Sequence, residues 1–218
     1  MTYRELINQV LIRLREDTIT SDWSGAINDS STVSAYHKVI GALINDSKRS
    51  VESYHDWLNL RETVSVSTVS GTKNYNLSSG QEIKIVDVIN ATTGMHLNQV
   101  SKVYLNTVKY PTDDTGEPLY YGFNGSDSSN NLKVDLSPVP TSVQTLNFEI
   151  IKHQDALTSA ATVLKVPSQP VILGAWARAI AERGEDGGTQ SSLAAIEAAE
   201  SLKQSVILDS GNTQYESD

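Results

Sequence analysis

Arg61-Glu62-Thr63-Val64-Ser65-Val66-Ser67 is where the chain changes its period. Upstream, apolar residues return every three or four positions. Here valines alternate with polar residues, the two-residue repeat of a half-buried strand. Ser70-Gly71 then marks a turn, and Tyr75 and Leu77 resume the alternation, so the spacing predicts a β-hairpin over Val64 to Leu77. A chain that begins on a period of 3.6 and passes to a period of 2 belongs to the α+β class, provided the helical period returns downstream.

Upstream, Thr2 with Glu5 three residues later forms a capping box at the start of a helix. Tyr3, Leu6, Ile7, Val10, Leu11 and Leu14 make one apolar stripe along it. Asp17 to Ser31 reads as a polar loop from which Trp23 folds back onto the core. Tyr36, Ile40, Leu43, Ile44, Ser47, Val51, Tyr54 and Leu58 then predict a second helix from about Val33 to Leu58, capped by Ser31 or Thr32. About 26 residues at ~1.5 Å each make it roughly 39 Å long.

Downstream, Ile83 to Ala91 is β-branched, and Thr93-Gly94 turns it into Met95 to Val100. Val103 to Tyr110 fits a helical turn or a strand. Leu119 to Phe123 reads as a short strand, and Gly125 to Asn131 as a polar turn. Leu132, Val134 and Leu136 alternate, as do Leu146, Phe148 and Ile150 across a Ser-Pro-Val-Pro-Thr turn.

The helical period returns after Pro167 and Pro170 with Ile172, Leu173, Trp176, Ala177 and Ile180. Proline is tolerated in a first helical turn. Gly184 to Gly188 breaks that helix, Thr189 caps the next, and Gly211 ends it. This last helix is expected to turn Leu193, Ile196, Ala199, Leu202, Val206 and Ile207 inward, with Glu197 and Glu200 on the opposite side.

The expected fold is α+β: a four-helix bundle, two helices from each end of the chain, with an inserted antiparallel β module. Residues 1–60 and 154–211 form the bundle, 61–153 the β module, and 212–218 a flexible C-terminal arm.

Composition narrows the function. Seventeen basic against 26 acidic residues give a net charge of −9. Phosphate binding depends on Lys and Arg, so this balance argues against a general nucleic-acid binder. It argues equally against docking on an anionic membrane. Cysteine is absent, which excludes disulfides, thiol chemistry and cysteine zinc sites. Met1 to Leu14 lacks the continuous apolar stretch of a signal peptide, and no run approaches the ~18 apolar residues of a membrane span.

Active-site patterns are missing. His37, His55, His96 and His153 have no metal-ligand spacing. There is no P-loop, nucleophile elbow or dinucleotide fingerprint. Asp113, Asp114 and Glu117 do not meet the EF-hand spacing and read as a solvated loop. Glu62, Glu82 and Glu149 read as solvent-facing strand carboxylates rather than glycosidase acids. No cofactor is expected. From Glu182 to Asp218 there are eight acidic and two basic residues, a net of −6. They read either as a solvated face and tail or as a wall past which a polyanion slides without sticking.

The order of these elements resembles the phage head-to-tail adaptors, and is similar to the tail tubular protein A family of short-tailed phages. The resemblance is carried by Thr2 to Leu14, the long second helix ending in Trp57-Leu58, and Val64 to Leu77 with Tyr75-Asn76-Leu77. Glu117-Pro118-Leu119-Tyr120-Tyr121, Leu132 to Pro140, and Val166-Pro167 complete it. It departs from the pattern in the long loop at 17–31 and the polar end after Gly211.

The resemblance implies a structural, non-enzymatic virion protein of the neck or tail, assembled in the host cytoplasm. It implies a homo-oligomeric ring, typically of twelve subunits, between the portal protein and the tail or nozzle proteins. Double-stranded DNA passes through the ring without sequence-specific binding, and no membrane is involved. Carried onto this chain, Asn212, Thr213, Gln214, Tyr215, Glu216, Ser217 and Asp218 form the portal-docking arm, with Tyr215 its large anchor. Glu197 and Glu200 face the channel. Asp113, Asp114, Glu117, Asn124 and Asp127 lie on tail-facing loops. Another neck or tail-completion protein is one alternative, and a carbohydrate- or ligand-binding module is a second. Against the second, Trp23, Trp57 and Trp176 all fall outside the β region.

Overall fold

The first helix starts where its capping box puts it. In the computed structural model, Thr2 N–H donates to Glu5 Oε2 at 2.8 Å and Glu5 N–H to Thr2 Oγ1 at 3.4 Å. The structure describes residues 1–77, 83–109, 114–184 and 188–211. In chain order the helices are α1 (Tyr3–Arg13), α2 (Ala35–Glu52), α3 (Lys102–Tyr104), α4 (Ser168–Arg183) and α5 (Thr189–Gly211). The strands are β1 (Arg61–Ser67), β2 (Asn74–Asn76), β3 (Ile83–Asn90), β4 (Met95–His96), β5 (Asn98–Gln99), β6 (Thr115–Gly116), β7 (Tyr120–Ser126), β8 (Leu132–Ser137), β9 (Val139–Pro140) and β10 (Thr145–Lys152). The fold is α+β, and the chain divides into two compact units: Met1–Leu60 with the described part of His153–Asp218, and Arg61–Lys152.

In the helical unit, α1 buries Tyr3, Leu6, Ile7, Val10 and Leu11 against α2 and α4. α2 is shorter than its periodicity predicts, with 18 residues or about 27 Å. Ser34, not Ser31 or Thr32, caps it, accepting from His37 N–H at 3.2 Å. It stops at Glu52 because the chain turns back on itself there. The Trp57 indole N–H donates to the Val51 carbonyl at 2.8 Å, beside the Tyr54 N–H that the same carbonyl accepts at 3.2 Å. Tyr54, expected on the inner stripe, is 58% exposed beyond that end. α4 and α2 approach closely at Gly174, where an added Cβ would collide with Ser47 Oγ. Gly184, in the left-handed region at φ 65°, ends α4. The loop at 17–31 is pinned by Trp23, whose indole donates to the Thr158 carbonyl at 2.9 Å and meets Tyr3 edge-on.

Lys48 and Glu52 form an ion pair inside this unit, 3% and 2% exposed, with Nζ to Oε1 at 3.0 Å. Lys48 also donates to the Gln154 carbonyl, and Gln154 N–H donates to Glu52 Oε1 at 3.3 Å.

In the β unit, one sheet runs β1-β10-β3-β4 and the other β2-β8-β7-β5; β6 pairs with β9. The predicted hairpin over Val64 to Leu77 does not form. β1 pairs with β10 in one sheet and β2 with β8 in the other. Alternation marks the strands but carries no information on partners across long loops. β3 does turn into β4 as expected, pairing Ile89 with His96. β8 and β10, adjacent across the proline turn, likewise enter different sheets. Most pairings are antiparallel; β5–β7 and β6–β9 are parallel. Val103 onward takes the helical option, with α3 continuing into a π turn at Leu105–Lys109. Val88, Leu146, Phe148 and Ile150 of the first sheet share one core with Tyr75, Tyr121, Val134 and Leu136 of the second.

Candidate assembly surfaces

α5 is a 23-residue helix that packs chiefly on α4, and Ala194 is its one fully buried residue. Ala198, Ser201, Leu202, Ser205, Val206 and Asp209 are half-buried on the same side. Asp209 fixes the far end: its Oδ2 accepts from Leu58 N–H at 3.3 Å and lies 3.1 Å from His55 Nε2. The expected inward stripe is only partly inward. Of its members Leu193 is 58% exposed, Ile196 56% and Ile207 71%, and the neighbouring Leu208, outside that stripe, is 73% exposed. These side chains share the outer face with Glu197 and Glu200 rather than opposing them. The reason is visible in the composition of the helix. Alanines and serines suffice for close packing on α4, which leaves the larger side chains outside.

Two hollows flank α5. One, of about 260 Å³, is lined by Ser47, Ser50 and Val51 of α2, Pro170, Gly174, Ala177 and Arg178 of α4, and Ala195, Ala198, Ala199 and Leu202 of α5. The other, of about 540 Å³, is lined by Arg13, Leu14, Arg15, Trp176, Ile180, Arg183 and Gln190. Arg183 there is already committed, donating to Tyr36 Oη at 2.8 Å and paired with Glu16.

The residues expected on tail-facing loops do not form one group. Asp113 lies outside the described residues. Asp114 and Glu117 are exposed. Asn124 is in strand β7, not in a loop, and donates to Asp135 Oδ1 at 2.9 Å while accepting from Lys102. Asp127 is spent on its own turn: Oδ1 accepts from the Ser129 and Asn131 amides at 2.8 Å each. Those bonds, from Asn131 first, hold its carboxyl below the usual range. Asn212 to Asp218, the expected docking arm, also lie outside the described residues.

With an uncovered helix face and surface loops as the features open to a partner, the similarity to known proteins decides the class. The family model described as SU10 adaptor protein matches residues 1–215. The chain belongs to the SU10 adaptor protein family. It is thus a structural adaptor of a phage virion, made to assemble with other phage head and tail proteins. No curated protein matches the chain significantly.

Several of the adaptor's polar residues have structural partners. His96 Nδ1 lies 2.8 Å from Asp87 Oδ2, and His37 Nε2 lies 3.1 Å from the Asp17 carbonyl. His153 Nδ1 is buried without a hydrogen-bond partner among the described residues. Glu149, on β10, takes the Thr63 hydroxyl at 2.7 Å. Among the described residues no group of three or more His, Asp or Glu could hold a metal, and no helix is long and apolar enough to cross a membrane. Burial raises the Tyr121 hydroxyl, with Asp87 adding to it.

Sequence reading missed two things. The Lys48–Glu52 pair carries a signal, opposite charges four apart on the apolar side of α2. The outer face of α5 carries one too. A helix with apolar side chains on more than one face has more than one partner.

Proposed function

We propose that this adaptor forms a ring between the portal and the tail, continues the DNA channel, and is close to the tail tubular protein A type. The observation that carries the reading is the match to the adaptor family over residues 1–215, joined to the uncovered apolar face of α5. A face with Leu193, Ile196, Ile207 and Leu208 all more than half exposed belongs to an assembly subunit rather than a lone chain.

In the ring of about twelve copies, a number taken from the resemblance, the four long helices act as one bundle. The acidic α5 borders the channel, where its like charge discourages DNA from adhering. Residues 212–218 form the arm that docks on the portal, with Tyr215 in a pocket. The exposed Asp114 and Glu117, with Asp113, turn to the tail. Assembly takes place in the host cytoplasm, and no catalytic step is involved.

Electron microscopy of the purified chain, alone and mixed with the portal of its own phage, tests this. Rings with a central hole seated on the portal are expected. Folded chain that never associates with the portal would overturn the reading. Ending the chain after Gly211 is expected to abolish portal binding while leaving the circular dichroism unchanged; undiminished binding refutes the docking arm.

A further inference from the structure

The outer ridge of α5 and the hollow beside it lie on the same helix but point in different directions. Ile196, Glu200 and Ile207 lie within ~40° of one another around the axis at ~100° per residue. Ala195 and Ala199, which line the hollow, lie roughly 100° away from that ridge. The ridge is bulky, and the hollow, lined largely by Ala, Ser and Gly residues with Val51, Pro170 and Leu202 among them, is wide enough at about 260 Å³ to admit an aliphatic side chain.

Charge matches as well as shape. Arg178 stands at the hollow and donates to a neutral partner, Ser50 Oγ, at 3.0 Å. Glu200, between the two isoleucines of the ridge, is exposed and has no ion-pair partner among the described residues. One chain therefore carries a knob with a carboxylate and a socket with a guanidinium. The ridge cannot enter its own chain's socket, because α5 also forms one wall of that socket and turns the ridge away from it.

We propose that the occupant of the α5 hollow is the α5 ridge of a second copy, with one of its two isoleucines, Ile196 or Ile207, entering the small-residue socket and Glu200 pairing with the next copy's Arg178. Such a contact is head-to-tail. Repeated with a closing rotation, it generates a ring rather than a dimer. It takes Glu200 into the seam between copies and leaves Glu197 as the carboxylate at the channel wall. The inference rests on the ring reading above and specifies the contact that builds the ring.

The absence of cysteine makes the contact testable by cross-linking in the full chain. Ser50→Cys combined with Ile196→Cys or with Ile207→Cys is assembled with the portal, imaged, and oxidised. In assembled rings, at least one of the two pairs is expected to give a ladder of covalent multimers, and each single variant only monomer. Rings that form but give no ladder with either pair would overturn this contact while leaving the ring reading intact. Dimers from Ile196→Cys or Ile207→Cys alone would do the same by showing ridge against ridge. Failure of even the parent chain to form rings would remove both. A charge swap gives the second readout: Glu200→Arg is expected to lower the ring fraction about tenfold, and adding Arg178→Glu to restore it. Glu200 is exposed and Arg178 is half-buried at the rim of the hollow, so circular dichroism of each variant should match the parent. Loss without rescue counts against the pairing.

Discussion

Replacing Lys48 with methionine should unfold the helical unit at a much lower temperature, although the new side chain is apolar and of similar length. Lys48 and Glu52 are 3% and 2% exposed, and the ammonium donates to both carboxylate oxygens, at 3.0 and 3.1 Å. In Lys48→Met the carboxylate stays buried, supported by the Gln154 amide at 3.3 Å. Breaking a buried pair from one side costs about 3–5 kcal/mol, because the remaining charge is uncompensated. For a chain of this length each kcal/mol moves the melting temperature by roughly 2–4 °C, so a drop of about 6–20 °C is expected. Thermal denaturation followed by circular dichroism at 222 nm reads it. The double variant Lys48→Met with Glu52→Leu removes both charges and should recover most of the loss. A single variant that melts within about 3 °C of the parent would refute the reasoning.

Three further outcomes are expected. Gly174→Ala brings a Cβ into Ser47 Oγ and should destabilise by about 1–3 kcal/mol; adding Ser47→Ala removes the clashing oxygen and should restore most of it in urea titrations. Phe148→Ala empties the centre of the β core and should cost about 3–5 kcal/mol, seen as loss of near-ultraviolet dichroism from Tyr121, whose ring lies 6.1 Å away. The Asp127 carboxyl is held below its unfolded value, so its contribution to the 127–131 turn is present above the unfolded carboxylate range and is lost as pH falls through the folded value. The protection of the Asn131 amide, its observed exchange rate relative to the intrinsic rate at the same pH, should fall on acidification in the parent. Asp127→Asn should show little of that dependence, and an identical pH profile would refute the assignment.

The sequence by itself determined where the helical period gives way to the strand period and where it returns. The capping box at Thr2 and Glu5, the buried stripe of α1, the strand alternation from Arg61, and the left-handed glycine after α4 are all local. They depend on residues within one turn or one strand, so a linear reading reaches them. The polar end after Gly211 and the scarcity of Lys and Arg were equally plain. The strand partners were decided only by the tertiary structure. Val64 and Tyr75 show the same alternation yet sit in different sheets, because two faces had to be closed over Phe148 and Val134. The fate of α5 was decided there too. Its spacing allows Leu193, Ile196 and Ile207 to point inward, but Ala194 and the serines pack closest to α4, and a helix can give a neighbour only one side. The early end of α2 likewise follows from Trp57 returning to the Val51 carbonyl, a contact between residues six apart. Local preference names the elements; competition for the same buried volume decides which faces they bury.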